Sequence, residues 1–150
     1  MKKGISLISL IITIIALIIV AGVIIINADY MIVNGDSAKL QTDIAQLESL
    51  MNVYKTRNSG NINFATTDFD VSKLSTTELQ QFVGENIENN KIELYVIDLY
   101  EIDALNPSFG NLSGGNTDRY LYSITTGKVY YEMGIMIDGV RYYYINDGEV

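Results

Sequence analysis

The sequence predicts an α+β fold, a long N-terminal helix packed on a C-terminal antiparallel sheet, and three observations carry that prediction. Residues 5–26 form a run of 22 without a charge, in which only Ser6, Ser9 and Thr13 are polar. A stripe of apolar residues at helical spacing follows directly. The last third of the chain then breaks into short β-rich segments separated by turn formers, and the eleven tyrosines concentrate in the second half.

The charge-free run comes first. A helix rises about 1.5 Å per residue, so residues 5–26 span roughly 33 Å, against a hydrocarbon core of about 30 Å. The run is apolar on every side, which suits lipid or the inside of a bundle. A secretory signal has an apolar region of about 7–15 residues and a small-residue cleavage site. This run is longer, and Asn27-Ala28-Asp29-Tyr30 after it has no A-x-A pattern, so membrane insertion is expected and an ordinary cleaved signal is not. Lys2 and Lys3 precede the run, and no Lys or Arg recurs before Lys39. The positive-inside bias therefore places the N-terminus in the cytoplasm and residues 27–150 across the membrane.

Beyond the run, Val33, Leu40, Ile44, Leu47, Met51 and Tyr54 recur at spacings of three, four or seven, one stripe along a helix. Asp36, Lys39, Gln41, Asp43, Gln46, Glu48 and Asn52 lie between them and suit a solvated face. Gly35 costs about 1 kcal/mol relative to Ala and marks a weak point or bend. Nothing between Ile26 and Val33 forces a stop. One helix over about residues 5–54 is expected, lipophilic over 5–26 and amphipathic over 27–57, with Asn58-Ser59-Gly60-Asn61 ending it. Leu40, Ile44, Leu47 and Met51 are the residues expected to pack on the sheet.

Residues 58–150 are left for one globular extracytoplasmic domain, enough chain for a single modest core. Signals over 62–88 are mixed. Ser75-Thr76-Thr77-Glu78 has the form of a capping box, and Leu79, Phe82 and Val83 follow at helical spacing, so a short helix is expected. Ile92, Leu94 and Val96 alternate with Lys91, Glu93 and Tyr95 as a strand with one buried face. Residues 106–117 (NPSFGNLSGGNT) hold the single proline and read as a long exposed loop. Asn111-Leu112-Ser113 within it fits a glycosylation sequon, a pattern that chance often supplies. Strands are then expected over 120–124, 128–133, 135–137 and 140–145, the last two joined by Asp138-Gly139, a strong type I′ hairpin signal. Four such strands imply an antiparallel meander, one face on the helix and the other wet.

Composition narrows the chemistry. Ten basic side chains less Lys2 and Lys3 leave eight against eighteen acidic ones, about −10 for the part after Gly4. That balance disfavours direct binding of nucleic acid or an anionic lipid surface. With no Cys and no His there is no disulfide, no thiolate and none of the usual bases or zinc ligands. No P-loop, G-x-G-x-x-G or G-x-S-x-G occurs, so neither catalysis nor a cofactor is expected. Asp68 with Asp70, and Asp98 with Glu101 and Asp103, could hold a hard cation through oxygen, but acidic residues among apolar ones equally make a solvated surface. The tyrosines at 130, 131, 142, 143 and 144 could form a sticky aromatic surface or, more simply, cross-strand pairs and core.

Basic residues, then Gly4, then a hydrophobic helix with no spacer resemble the class III signal of type IV pilins and pseudopilins. The resemblance implies a leader Met1-Lys2-Lys3-Gly4, cleavage after Gly4 by prepilin peptidase, and a mature chain starting at Ile5 with a methylated N-terminus. It also implies assembly with other pilins or pseudopilins through the N-terminal helix, in contact with membrane lipid. The segment YLYSITTGKVYYEMGIMIDGVRYYYI resembles the end of pilin-like proteins from Gram-positive, particularly clostridial, bacteria. The family usually carries glutamate at the fifth mature position, where its carboxylate neutralises the α-amino group of a neighbouring subunit. Here that position is Ser9, and no acidic residue precedes Asp29. The departure points to a minor or tip component, or to an anchored relative that does not polymerise. A bitopic protein with an uncleaved anchor and a small external binding domain remains the alternative.

Overall fold

A computed structural model of the chain describes residues 7–104, 106–110 and 117–146. The elements in order are α1 (Leu7–Arg57), β1 (Thr66–Asp70), α2 (Thr76–Leu79), a 3-10 turn (Gln80–Phe82), β2 (Lys91–Val96), β3 (Tyr120–Tyr122), β4 (Val129–Tyr131), β5 (Ile135–Ile137) and β6 (Val140–Tyr142). The fold is α+β, with a four-stranded antiparallel sheet ordered β1-β2-β3-β4 and a separate two-stranded sheet β5-β6. The chain divides into two compact units, Met1–Gly35 and Asp36–Val150.

In the second unit, α1 ends where turn formers let its last carbonyls find donors. Asn58 donates to the Tyr54 carbonyl from both its backbone and its side-chain amide, each at 3.0 Å, and Gly60 N–H donates to Lys55 O at 2.7 Å. Ser59 and Gly60 both have positive φ, the left-handed backbone typical just past a helix. The expected short helix is α2. Ser75 caps it through the Glu78 N–H while the Glu78 carboxylate accepts from the Ser75 N–H at 2.8 Å. The bond from the Ser75 N–H, with smaller help from the Ser75 hydroxyl and the Arg141 N–H, also holds the Glu78 carboxyl below its usual range.

Register places alternate residues of the sheet on opposite faces. Phe69, Ile92, Leu94, Leu121 and Tyr130 share one face, because Phe69 pairs with Ile92, Val96 with Leu121, and Leu121 with Tyr130. They form one buried cluster with Val71, Phe82 and Tyr143, and partly buried Leu74, Leu79 and Tyr144 pack against it. Phe82 stacks on Tyr130 at 4.7 Å, and Phe69 meets Tyr143 edge-on at 5.3 Å. Tyr120, Tyr122, Val129 and Tyr131 occupy the opposite face and are also buried. From that face the Tyr120 and Tyr122 hydroxyls bond Asp43 and Lys55 of α1.

Two expectations are corrected here. The sheet has no wet face over β3 and β4. All three residues of each strand are buried, one side toward α1 and the other in the Phe82–Tyr143 cluster. The meander also breaks after β4. Gly134 turns the chain at φ 65°, where an added Cβ would lie 2.7 Å from Arg141 Cγ and 3.1 Å from the Tyr142 carbonyl. The β5-β6 hairpin then docks by Tyr131 N–H donating to Tyr143 O at 2.8 Å, and Gln81 ties it to the 3-10 turn by donating to Arg141 O and accepting from Tyr143 N–H. Within the hairpin, Asp138 and Gly139 both have positive φ, as a type I′ turn requires. The strand β1 is an addition, since the mixed text around 62–88 carries no strand expectation. Its only apolar side chain is Phe69, so no alternation announced it.

Candidate functional site

Two stretches of α1 carry the residues singled out from the sequence. Residues 9–17 lie in the first unit, and all are exposed, with Ile12 at 61 % and Leu17 at 64 %. Leu10, Ile11, Ile12, Ile14, Ile15 and Leu17 project at nearly successive positions, so the apolar surface winds round the helix. The Thr13 hydroxyl donates to the Ser9 carbonyl at 2.8 Å, which satisfies that donor within the helix. Ser9 itself is exposed. Gly4 and Ile5 lie outside the described residues, as does the sequon at Asn111-Leu112-Ser113. Among the described residues no helix is long and apolar enough to cross a membrane, and much of the expected span 5–26 lies where side chains are not described.

In the second unit, Leu40, Ile44, Leu47 and Met51 are buried, none more than 2 % exposed. Polar bonds fasten the same helix to β3, β4 and a neighbouring loop. The Asp43 carboxylate accepts from the Tyr120 hydroxyl at 2.6 Å and from the Phe109 N–H at 3.0 Å. The Glu48 carboxylate accepts from the Val129 N–H at 3.1 Å. Burial raises the Glu48 pKa, partly offset by that bond and by Lys128. Asp43 was expected on the solvated face and is instead 4 % exposed. It sits one position before Ile44, within the angular reach of the buried stripe, and its partner is a tyrosine 77 residues away.

Sequence reasoning missed a set of carboxylate–hydroxyl clusters. Glu85 accepts from Ser123, Thr126 and Tyr130 at 2.6, 2.6 and 2.8 Å. Asp118 accepts from the Tyr131 hydroxyl at 2.7 Å and from the Gly110 N–H at 3.1 Å. Burial, then these carboxylates, push the Tyr120, Tyr130 and Tyr131 hydroxyls well above their ordinary pKa, so they stay protonated donors. Arg119 closes a bidentate pair with Glu132. The only advance signal was an excess of tyrosines in a chain rich in acids.

The two acidic sites weighed for a cation are occupied by local bonds. Asp68 pairs with Lys91 at 3.6 Å, and Asp70 accepts from the Ser72 N–H at 2.8 Å, which lowers its pKa. Asp98 accepts from the Tyr100 and Glu101 N–H groups, and Asp103 lies 3.9 Å from Arg57. Among the described residues no three acidic side chains are grouped to hold a metal ion. Comparison with protein families, curated proteins and solved structures found no match to this chain.

Proposed function

We propose that this protein is a pilin-like structural subunit, a minor pilin or pseudopilin of a type IV pilus, type II secretion or DNA-uptake system. One observation carries the reading. Residues 9–17 expose apolar side chains all round α1, and the element that carries them also supplies the buried stripe Leu40, Ile44, Leu47 and Met51. An all-apolar helical surface needs lipid or other helices to cover it. Such a helix followed by an antiparallel sheet is also the pilin-like arrangement that the N-terminal signal suggests.

In this reading prepilin peptidase cuts after Gly4, Ile5 becomes the methylated N-terminus, and the helix passes from the cell membrane into an assembly with other pilins. The C-terminal domain is extracytoplasmic. Ser9 favours a low-copy role. A hydroxyl can accept a hydrogen bond from the Ile5 ammonium but brings no opposite charge, and an unpaired charge in an apolar core is costly. Ser9→Glu should raise incorporation along a filament shaft. The second reading is a bitopic protein with an uncleaved anchor and a small external binding domain.

The mass of the mature protein separates the two. A chain beginning at Ile5, with Gly4→Leu leaving an uncleaved precursor in the membrane, is the expected result. An N-terminus at Met1 or Lys2 in cells that carry the peptidase overturns the pilin reading in favour of the anchor.

A further inference from the structure

The C-terminal end of α1 borders a cleft of about 690 Å³ that neither the fold nor the assembly reading uses. Its volume falls within the roughly 300–1,000 Å³ typical of small-ligand sites. Its apolar lining includes Val53, Ile102 and Phe64, whose ring stacks on Tyr54 at 4.7 Å. Its polar lining is Arg57, Asn58, Asn63, Asp98, Glu101 and Asp103.

Two of the polar groups are fixed by the backbone around them. Asp98 holds the loop wall by accepting from the Tyr100 and Glu101 N–H groups at 3.0 and 3.3 Å. Asn58 commits one amide proton to the Tyr54 carbonyl. The Glu101 carboxylate and the Asn63 side-chain amide make no bond among the described residues, and Arg57 reaches Asp103 only at 3.9 Å between two mostly exposed side chains. The lining therefore presents carboxylate acceptors, amides that both donate and accept, and a guanidinium donor beside an aromatic ring.

That mixture selects the ligand class. A cation would satisfy the carboxylates but offer nothing to Arg57 or the amide N–H groups. An anion would meet three carboxylates against one arginine and be repelled. Vicinal hydroxyls donate and accept at once, and the C–H face of a sugar ring covers an aromatic surface. We propose that this cleft binds a neutral oligosaccharide, its hydroxyls held by Asn63, Glu101 and Arg57 and one ring seated over Phe64. The proposal stands apart from the pilin reading, since it uses only residues of the second unit.

The test is titration of the full-length chain in detergent micelles, followed by amide NMR, with maltotriose, cellotriose, mannotriose and triacetylchitotriose. Sialyllactose and trilysine serve as the anionic and cationic arms. At least one neutral trisaccharide is expected to give saturable shifts at Asn63, Phe64 and Glu101 with a Kd below about 10 mM. Asn63→Ala and Glu101→Ala, both at exposed positions, should each weaken it about fivefold with the melting midpoint unchanged. Silence with all four neutral sugars, saturation by trilysine or sialyllactose alone, or undiminished sugar binding in both variants would each overturn the proposal.

Discussion

Two stretches of α1 both present Ile and Leu, yet they differ in what covers them. Leu10, Ile11, Ile12, Ile14, Ile15 and Leu17 are 47–64 % exposed, whereas Leu40, Ile44, Leu47 and Met51 are 0–2 % exposed. Both content and spacing separate them, and spacing decides what a sheet can cover. The second set recurs every three or four residues on one face, which a single sheet can cover while Lys39, Thr42 and Gln46 remain in water. The first set occupies nearly successive positions, so no single layer could cover it.

Charge insertion tests that contrast most sharply. Leu47→Asp places a carboxylate in a site 1 % exposed and removes packing worth about 2–5 kcal/mol by itself. Domains are stable by only about 5–15 kcal/mol, so the globular unit should lose its cooperative melt in circular dichroism. Ile14→Asp should leave that melt unchanged and, on the membrane-inserted reading proposed above, lower the membrane-bound fraction, since a carboxylate at mid-bilayer costs about 2.5–3.5 kcal/mol. A parental melt for Leu47→Asp, or an unfolded Ile14→Asp, would break the comparison.

Asp43 is the next lever, because it lies on the covered side of the helix. Asp43→Ala leaves the Tyr120 hydroxyl and the Phe109 N–H without their acceptor and should cost about 2–4 kcal/mol in urea unfolding. Adding Tyr120→Phe should return part of that loss, and a strictly additive double mutant would show the pair uncoupled.

Two smaller effects sharpen the picture away from α1's stripe. Ser75→Ala removes the cap of α2 and should cost about 1 kcal/mol. The depressed Glu78 pKa adds stability that is present at neutral pH and fades as pH falls below the ordinary carboxylate range, and Ser75→Ala, which keeps the Ser75 N–H bond, should flatten that acid limb only slightly, whereas Glu78→Gln should remove it. Glu48 has the opposite sign. Its folded-state pKa is raised, so its charge opposes folding as pH climbs past the unfolded value toward neutrality. Glu48→Gln keeps an acceptor for the Val129 N–H and should gain less than about 1 kcal/mol at pH 7, discounted for its partial exposure, with no gain at pH 4. A loss at pH 7 would mean that the charged bond to Val129 outweighs burial.

Much of this was legible in the chain because the governing forces are local. The capping box at Ser75, the Asp138-Gly139 turn and the apolar stripe of α1 each depend on residues a few positions apart. The misses share the opposite character. Thr66–Asp70 became a strand through its register with Lys91–Val96, not through its own pattern. The cleft joins the end of α1 with loops around Asn63 and Asp98, and no spacing in the sequence puts those three segments side by side.

From the sequence alone come the α+β class, the charge-free run at 5–26, the buried face of α1 and the absence of Cys and His, since periodicity and composition act without reference to distant chain. The tertiary structure decided the rest. It set the break between β4 and β5, covered the second face of the sheet with Phe82 and Tyr143, and turned Asp43, Glu85 and Asp118 from surface acids into acceptors for buried tyrosines. The physical reason is one of satisfaction at long range. A buried hydroxyl must find a partner, and which carboxylate serves is settled only when segments dozens of residues apart are brought within hydrogen-bond distance.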